Sequence, residues 1–122
     1  SEIKIIGNEV QHLIPTLGLR FESITKKTIV AYSCDTEPCQ SVIDLATGSD
    51  YLIHEAAGEA KGHSSPRQCG KVATLAGTKS LILIHYPDVN DPEQFIQEAK
   101  MEYQGQVLLA QDGMVLGEIT SL

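Results

Sequence analysis

Residues 51–85, YLIHEAAGEAKGHSSPRQCGKVATLAGTKSLILIH, contain the pattern that decides the fold class. The short apolar runs at residues 51–53 and 81–84 are typical of buried strands. Between them, Ser65-Pro66 predicts the start of a helix, because serine caps helix N-termini and proline suits the first turn. Apolar residues then recur at helical spacing, namely Val72, Ala73 and Ala76. The stretch therefore predicts a parallel β-α-β unit.

The residues before this unit extend the same pattern. Residues 28–32, TIVAY, form a β-branched apolar run that predicts another buried strand. A helix starting near Pro38 follows, with Val42, Ile43 and Ala46 on its inner face and Gly48 as its C-terminal stop. Earlier still, residues 17–22 alternate between apolar and polar side chains, and residues 3–6 suggest a further short strand.

The residues after the unit add a third helix and a strand. Asp91-Pro92 repeats the cap-and-proline signal, and Phe95, Ile96 and Ala99 follow at helical spacing. Residues 107–109 and 114–116 flank Asp112-Gly113, which predicts a terminal β-hairpin. Strands followed by alternating helices and strands indicate a layered α/β fold, with helices on at least one face of the sheet.

Composition excludes several classes of function. The chain has 122 residues, 42% of them hydrophobic and 20% charged, which fits one ordinary domain. Its net charge of −7 and the lack of any basic cluster longer than Lys26-Lys27 do not favour nucleic-acid binding, although they leave it possible. Apolar runs are too short to cross a membrane. Cys34, Cys39 and Cys69 lack zinc-knuckle spacing and are interpreted as free thiols, so we expect a cytoplasmic protein.

Metal-ligand and acid–base residues follow three of the predicted strands. Asp35 follows residues 28–32, His54-Glu55 follows residues 51–53, and His85 follows residues 81–84. Sites in α/β proteins gather at the carboxyl ends of strands. The remaining histidines, His12 and His63, fall in the early strand region and in a loop. Imidazole and carboxylate groups bind Zn²⁺, Mn²⁺ and Fe ions, so a metal site is one interpretation.

Simpler interpretations remain open from the residues alone. A single histidine is more often a surface or hydrogen-bonded residue than a ligand. Asp35 could cap the following helix, and Glu55 could be a solvated loop charge. Cys34 is interpreted as a small buried thiol rather than as a thiolate ligand.

Five stretches, in order along the chain, carry a resemblance to a known family. They are QHLIPTLGLR at 11–20, YSCDT at 32–36, LIHEA at 52–56, GHSS at 62–65 and LIHY at 83–86. Together they closely resemble the second half of metallo-β-lactamase-fold hydrolases, in particular the ribonuclease Z-like branch. The resemblance implies that residues 1–122 form a single partial domain. This domain would be the C-terminal half of a four-layer αβ/βα sandwich, with a mixed sheet and helices on one face.

The resemblance also implies a role for each candidate residue. His12 would bind one metal ion, Asp35 would bridge two ions, and His85 would bind the second ion. The complete domain would hold two ions of zinc, or of manganese or iron. Glu55 and His63 would form the acid–base pair, in which His63 protonates the leaving oxygen and Glu55 orients it. His54 would support the loop rather than bind metal, and Ala57 stands where the family usually has threonine.

Departures from the family pattern limit what this chain is expected to do alone. The His-x-His-x-Asp-His motif, which supplies most of the ligands in the family, is absent from residues 1–122. We therefore expect a C-terminal fragment with partial or no metal occupancy and no activity by itself. One face of its sheet would lie bare, which predicts a partner: an N-terminal half, or a second copy in a homodimer.

The spacing of the motifs bears on the substrate. Members that process tRNA carry a long tRNA-binding arm between the positions matching His12 and Asp35, but only 22 residues intervene here. Residues 86–89, YPDV, also replace the family's Ser-x-Arg-Tyr. We therefore expect a small phosphodiester or ester substrate. The alternatives are a tRNA 3′-processing endoribonuclease and a non-catalytic binding or assembly module.

Overall fold

The computed structural model describes residues 2–117 of the chain. Within that range the strands are β1 (Ile3–Glu9), β2 (Leu17–Ser23), β3 (Thr28–Tyr32), β4 (Tyr51–Glu55), β5 (Ser80–Ile84) and β6 (Gln106–Leu109). The helices are α1 (Gln40–Ala46), α2 (Pro66–Ala76) and α3 (Pro92–Lys100). The predicted alternation of strands and helices after β3 is confirmed, with α1 beginning two residues later than Pro38.

The six strands form one mixed sheet in the order β1-β2-β3-β4-β5-β6. β1, β2 and β3 are antiparallel, whereas β3 to β6 run parallel to one another. Glu9 at the end of β1 pairs with Leu17, and Leu19 pairs with Tyr32 at the end of β3. The β1–β2 connection therefore lies at the same edge of the sheet as the carboxyl ends of β3, β4 and β5.

The three helices cover one face of the sheet, as predicted. Alternate strand residues and the inner faces of the helices form one buried cluster that includes Ala31, Leu52, Leu81, Leu83, Val107, Val42, Ala46, Val72, Ala73 and Ala99. The predicted start of α2 is confirmed by a capping box. The Ser65 side chain accepts a hydrogen bond from the Gln68 backbone N–H, and the Gln68 side chain accepts one from the Ser65 backbone N–H. No helix among residues 2–117 is both long and apolar enough to span a membrane.

The opposite face of the sheet, here called the open face, has no helix against it within residues 2–117. The strand registers and the alternation of side chains place on it Ile3, Ile5, Leu19, Phe21, Val30, Tyr32, Tyr51, Ile53, Ile82 and Leu108. Ile3 and Ile5 are 60% and 59% exposed at its β1 edge. The predicted apolar face without helices is therefore present in the described residues, but it is bare only toward β1, since Ile82 at its centre is 1% exposed.

The predicted terminal hairpin is wrong. Gly113 adopts φ 81° and the Met114 N–H bonds to the Gln111 carbonyl, so the turn forms. However, residues 114–116 make no strand beside β6. Leu116 instead lines a groove on the open face with Phe21. An apolar segment that follows a turn can gain burial against a sheet face as well as along an edge, and the local pattern does not distinguish the two.

Candidate metal centre

The structure brings all five predicted site residues together at one edge of the sheet. The Nδ1 atom of His85 lies 3.2 Å from Oδ1 of Asp35, and Nε2 of His12 lies 3.8 Å from Oδ2 of the same carboxylate. The ring centroid of His63 lies 5.1 Å from that of His12 and 5.8 Å from that of His85. Because the β1–β2 connection and the ends of the parallel strands share this edge, residues distant in sequence converge here.

Asp35 does not cap the helix that follows it. The N-cap position of α1 is Cys39, which makes no side-chain capping hydrogen bond. The Asp35 carboxylate instead faces the imidazoles of His12 and His85. The helix-cap interpretation is therefore wrong, and a partly exposed carboxylate between two imidazoles suits cation binding.

The backbone is strained on both sides of this cluster. Cys34 and His85 adopt φ values of 55° and 56°, in the left-handed region where residues other than glycine are uncommon. Such conformations concentrate at functional sites, where the surrounding structure holds them in place. Cys34 is only partly buried, and its thiol is one of the neighbours that raise the pKa of Tyr32, after the larger effect of burial.

Glu55 is buried at the end of β4 and is only 1% exposed, so it is not a solvated loop charge. Its Oε1 accepts hydrogen bonds from the Thr36 N–H at 3.0 Å and from Nδ1 of His63 at 2.8 Å. Its Oε2 accepts from the N–H groups of Ala57 and Ser64 at 2.9 and 3.2 Å. A carboxylate can accept all four bonds, and together they fix the position of the His63 ring.

The hydrogen bonds also define which ring nitrogen of each histidine is free. A carbonyl or carboxylate oxygen only accepts, so the proton on His12 is assigned to Nδ1, which lies 2.8 Å from the Gly62 oxygen. The same reasoning places a proton on Nδ1 of His63, which bonds to Glu55. Nε2 of His12 is left with a lone pair toward Asp35, and Nε2 of His63 is left for a ligand or a transferable proton.

A histidine and a cysteine lie directly behind this cluster. His54 is completely buried in β4, and its Nδ1 lies 2.8 Å from the Glu55 carbonyl and 3.3 Å from the Cys69 sulfur. Burial lowers the pKa of His54, only partly opposed by that carbonyl and the Glu55 charge. Burial also raises the pKa of the Cys69 thiol. His54 therefore faces the core and not the candidate metal centre.

Stability is expected to depend on pH through His54. A pKa that is lowered by folding means that the unfolded chain binds the proton more readily, so the free energy of unfolding falls as the pH drops below the unfolded value of about 6.5. The slope contributed by one such group is at most about 1.4 kcal/mol per pH unit. His54→Asn keeps an N–H near the Glu55 carbonyl but does not titrate. Urea unfolding at several pH values should show a shallower slope for this variant than for the wild type, and equal slopes would contradict the prediction.

The donor set fits a divalent cation. Asp35, His63 and His85 each offer one ligand atom, and these atoms lie within 4.8 Å of one another. The distances therefore give a ligand set of Asp35, His63 and His85, whereas the sequence resemblance assigns the third ligand position to His12. The two assignments differ in one residue, since Asp35 and His85 belong to both. Carboxylate and imidazole donors of this kind suit zinc, manganese or iron.

Two contacts at the site were not predicted from the sequence. The Glu37 carboxylate accepts a hydrogen bond from the Gly62 N–H at 3.0 Å, and the Ser64 hydroxyl donates to the Thr36 carbonyl at 2.7 Å. Thr36 and Ser64 lie inside the quoted motifs, but Glu37 lies just outside them and carries no local signal. Its contact spans 25 residues of sequence, which no local pattern can reveal.

Comparisons of sequence point to one group of proteins, although no protein-family profile matches the chain. The chain is 50% identical over 64 residues to a ribonuclease Z of Methanothermobacter thermautotrophicus, covering 46% of this chain and 21% of that protein. It is 33% identical over 111 residues to an uncharacterized protein of Mycobacterium tuberculosis, covering 86% of this chain and 40% of the relative. The chain thus spans less than half of the length of either relative.

Solved structures agree on the fold. The metallo-β-lactamase fold protein YhfI from Bacillus subtilis superposes with a TM-score of 0.83 at 24% identity, over 92% of this chain and 48% of that chain. The short form of human tRNase Z superposes with a TM-score of 0.68 at 25% identity, over 93% and 42%. The chain therefore has the fold of the metallo-β-lactamase class, and the predicted mixed α/β half-sandwich is confirmed. Within that class, its resemblance to the ribonuclease Z-like branch is also confirmed.

Proposed function

We propose that this chain supplies part of the active site of a metal-dependent hydrolase that cleaves phosphodiester or related ester bonds. The observation that carries the proposal is the convergence of His12, Asp35 and His85 beside the hydrogen-bonded pair of His63 and Glu55. Cation ligands and an oriented acid–base group at one edge are the parts that such hydrolysis requires. Residues 1–122 would form one part of a domain whose other ligands come from outside this sequence.

Each side chain has a distinct part in the proposed chemistry. His12, Asp35 and His85 would hold the metal, with zinc proposed first and manganese or iron as alternatives. When bound, such ions polarise a phosphoryl or acyl oxygen and lower the pKa of water. Glu55 accepts a hydrogen bond from Nδ1–H of His63 and so keeps the ring in one orientation. In its protonated form, with hydrogen on both ring nitrogens, His63 would give its Nε2 proton to the leaving oxygen of the substrate and remain as the neutral Nδ1–H ring.

A small substrate is favoured by the short path between His12 and Asp35. The 22 intervening residues are used by the rest of the β1–β2 connection, β2, a turn, β3 and the two residues before Asp35. The turn, residues 24–27, has room for no inserted arm. The net charge of −7 also disfavours a large polyanion.

The second candidate function is tRNA 3′ processing. It is favoured by the 50% identity over 64 residues to a protein named ribonuclease Z. The fold shared with human tRNase Z supports it as well. Against it stand the missing arm and the acidic charge. The third candidate, a non-catalytic binding or assembly module, predicts a chain that associates but binds no metal.

The open face supports a proposal about partners, and the cysteines support one about location. Its apolar side chains would pack against a second sheet, supplied by an N-terminal half of the domain or by a second copy in a homodimer. Analytical ultracentrifugation that finds only monomers, with no change on adding an N-terminal half, would contradict this.

The three cysteines are free thiols in the described residues, which supports a reducing, cytoplasmic compartment.

The function is tested with the chain alone and with a chimera in which residues 1–122 replace the matching segment of the Mycobacterium tuberculosis relative. Bis(p-nitrophenyl) phosphate and a precursor tRNA with a 3′ trailer serve as substrates, with zinc or manganese added. We expect diester turnover by the chimera, little by the chain alone, and a loss of about 10²–10⁴-fold in His63→Ala. Cleavage of the tRNA alone would support the second candidate, and a metal-free, inactive chimera would support the third.

A further inference from the structure

Glu37 belongs to the loop that carries Asp35 and contacts the loops that carry His12 and His63, three of the four loops that hold predicted site residues. It lies two positions after Asp35 in the loop that follows β3. Its backbone N–H donates to the Gln11 carbonyl at 2.8 Å, directly before His12. Its carboxylate accepts from the Gly62 N–H at 3.0 Å, directly before His63. One residue thus joins the loops of Asp35, His12 and His63.

Gly62 is held from both sides by residues of the other two loops. Its N–H donates to Glu37, and its carbonyl accepts from Nδ1 of His12 at 2.8 Å. Gly62 has φ 84°, and a Cβ atom there would lie 2.8 Å from Nδ1 of His12. The position therefore requires glycine for both backbone conformation and space. Because Glu37 fixes the peptide that presents the Gly62 carbonyl, it also fixes what His12 can bond to.

The tautomer of His12 depends on this arrangement. With Nδ1–H held by the Gly62 carbonyl, the lone pair lies on Nε2, the nitrogen that faces Asp35. If the carbonyl turned away, a neutral imidazole in water would favour the opposite tautomer or a mixture, and Nε2 would lose its readiness to bind a cation. Carbonyl groups that orient metal-binding histidines act in this way in known metal sites.

We propose that Glu37 is a positioning residue of this site: by holding the Gly62 peptide, it sets the tautomer and orientation of His12. The proposal rests on the proposed function only in the claim that His12 binds metal. Its structural part, the control of His12 by Glu37 through Gly62, concerns the protein without metal and is tested separately.

The primary measurement is the His12 tautomer, read by ¹⁵N–¹H long-range NMR at a pH at which the ¹⁵N shifts themselves show a neutral ring. The wild type should carry its proton on Nδ1. Glu37→Gln retains an acceptor oxygen and should behave like the wild type. Glu37→Ala should shift His12 toward the Nε2–H form. Glu37→Asp keeps the charge but shortens the side chain by one methylene, so it should shift His12 in the same direction. This variant replaces Glu37→Ala if the alanine variant does not fold.

The matched control is Glu59→Ala, which removes one negative charge from an exposed residue of the same loop as Gly62. This variant should leave the His12 tautomer unchanged. If the loss of negative charge alone moved the tautomer, Glu59→Ala would move it as well. If Glu37→Asp and Glu37→Ala keep the wild-type tautomer, the proposal is overturned. A merely structural role would change unfolding without moving the tautomer, and that result would also overturn it.

A second measurement, zinc titration by calorimetry, separates this proposal from the proposed function. We expect Glu37→Ala to weaken zinc binding by about 10-fold and Glu37→Gln to retain it, in line with outer-shell changes of about 10–100-fold. If the wild type binds no zinc while the tautomer still depends on Glu37, the proposed metal site fails and the positioning role stands. If zinc binds equally to all variants, the link from Glu37 to metal binding fails.

Discussion

Replacing Glu55 with glutamine is expected to lower the free energy of unfolding by about 2–4 kcal/mol. The Glu55 carboxylate is 1% exposed and accepts four hydrogen bonds, three of them from backbone N–H groups. The glutamine amide has one oxygen, so its NH₂ group must face donors and leave at least one buried N–H without an acceptor. Urea unfolding followed by circular dichroism measures the change.

The control for this substitution is Glu59→Gln, which makes the same chemical change on an exposed residue four positions along the chain. It should change stability by less than about 0.5 kcal/mol, as surface substitutions usually do. If Glu55→Gln is as stable as this control, the hydrogen-bond network around Glu55 does not contribute as described. If the glutamine NH₂ group takes the place of Oε1, Nδ1 of His63 and the Thr36 N–H both lose their acceptor, and His63 then loses its fixed orientation.

The parts of the fold that the sequence predicted well are those specified by neighbouring residues. Residues 28–32 are β-branched and apolar, and β3 has these same bounds. Ser65-Pro66 fixed the start of α2 through a cap that involves only Ser65, Pro66 and Gln68. These signals act within one turn of helix or one strand, so tertiary structure had little scope to override them.

The parts that could not be predicted depend on contacts between distant residues. The predicted terminal hairpin is wrong, and Leu116 instead lines a groove with Phe21 of the open face, a contact with a strand far earlier in the chain. The burial of Glu55 follows from loops at Thr36 and Ser64 that close over it. From the residues alone, Glu55 is also compatible with a solvated loop charge. Only the family resemblance had paired it with His63.

The site shows the same division. Strand endings predicted Asp35 and His85 at one edge, because parallel strands place their carboxyl ends together. His12 could be added only through the resemblance, since its position depends on the antiparallel pairing of β1 and β2. Two ligand sets are possible, because Nε2 of His12 lies 3.8 Å from Asp35 and the ligand atom of His63 lies within 4.8 Å of those of Asp35 and His85.

Replacing Asp35 with asparagine is therefore expected to have the largest effect on metal binding. Asp35 lies between His12 and His85 and is common to both possible ligand sets. Asparagine keeps the shape but removes the charge, and we expect zinc affinity to fall by more than about 100-fold, since outer-shell changes already cost about 10–100-fold. Elemental analysis of chains whose intact mass is verified, followed by calorimetric titration, measures the loss. Asp112→Asn, an exposed aspartate in the turn after β6, is the matched control and should bind zinc as the wild type does.

The same titration on His12→Ala and His63→Ala separates the two ligand sets. If His12 is the ligand and His63 the acid, His12→Ala should weaken zinc binding strongly and His63→Ala only slightly. If His63 is the ligand instead, His63→Ala should weaken zinc binding more than His12→Ala does. The distances favour this set, because the ligand atoms of His63, Asp35 and His85 lie within 4.8 Å of one another. About one zinc ion per chain would mean that these residues form a site by themselves, and one per dimer would mean that a second copy completes it. Zinc bound equally by the wild type and Asp35→Asn would show that the ion is held elsewhere, and the proposed centre would then be wrong.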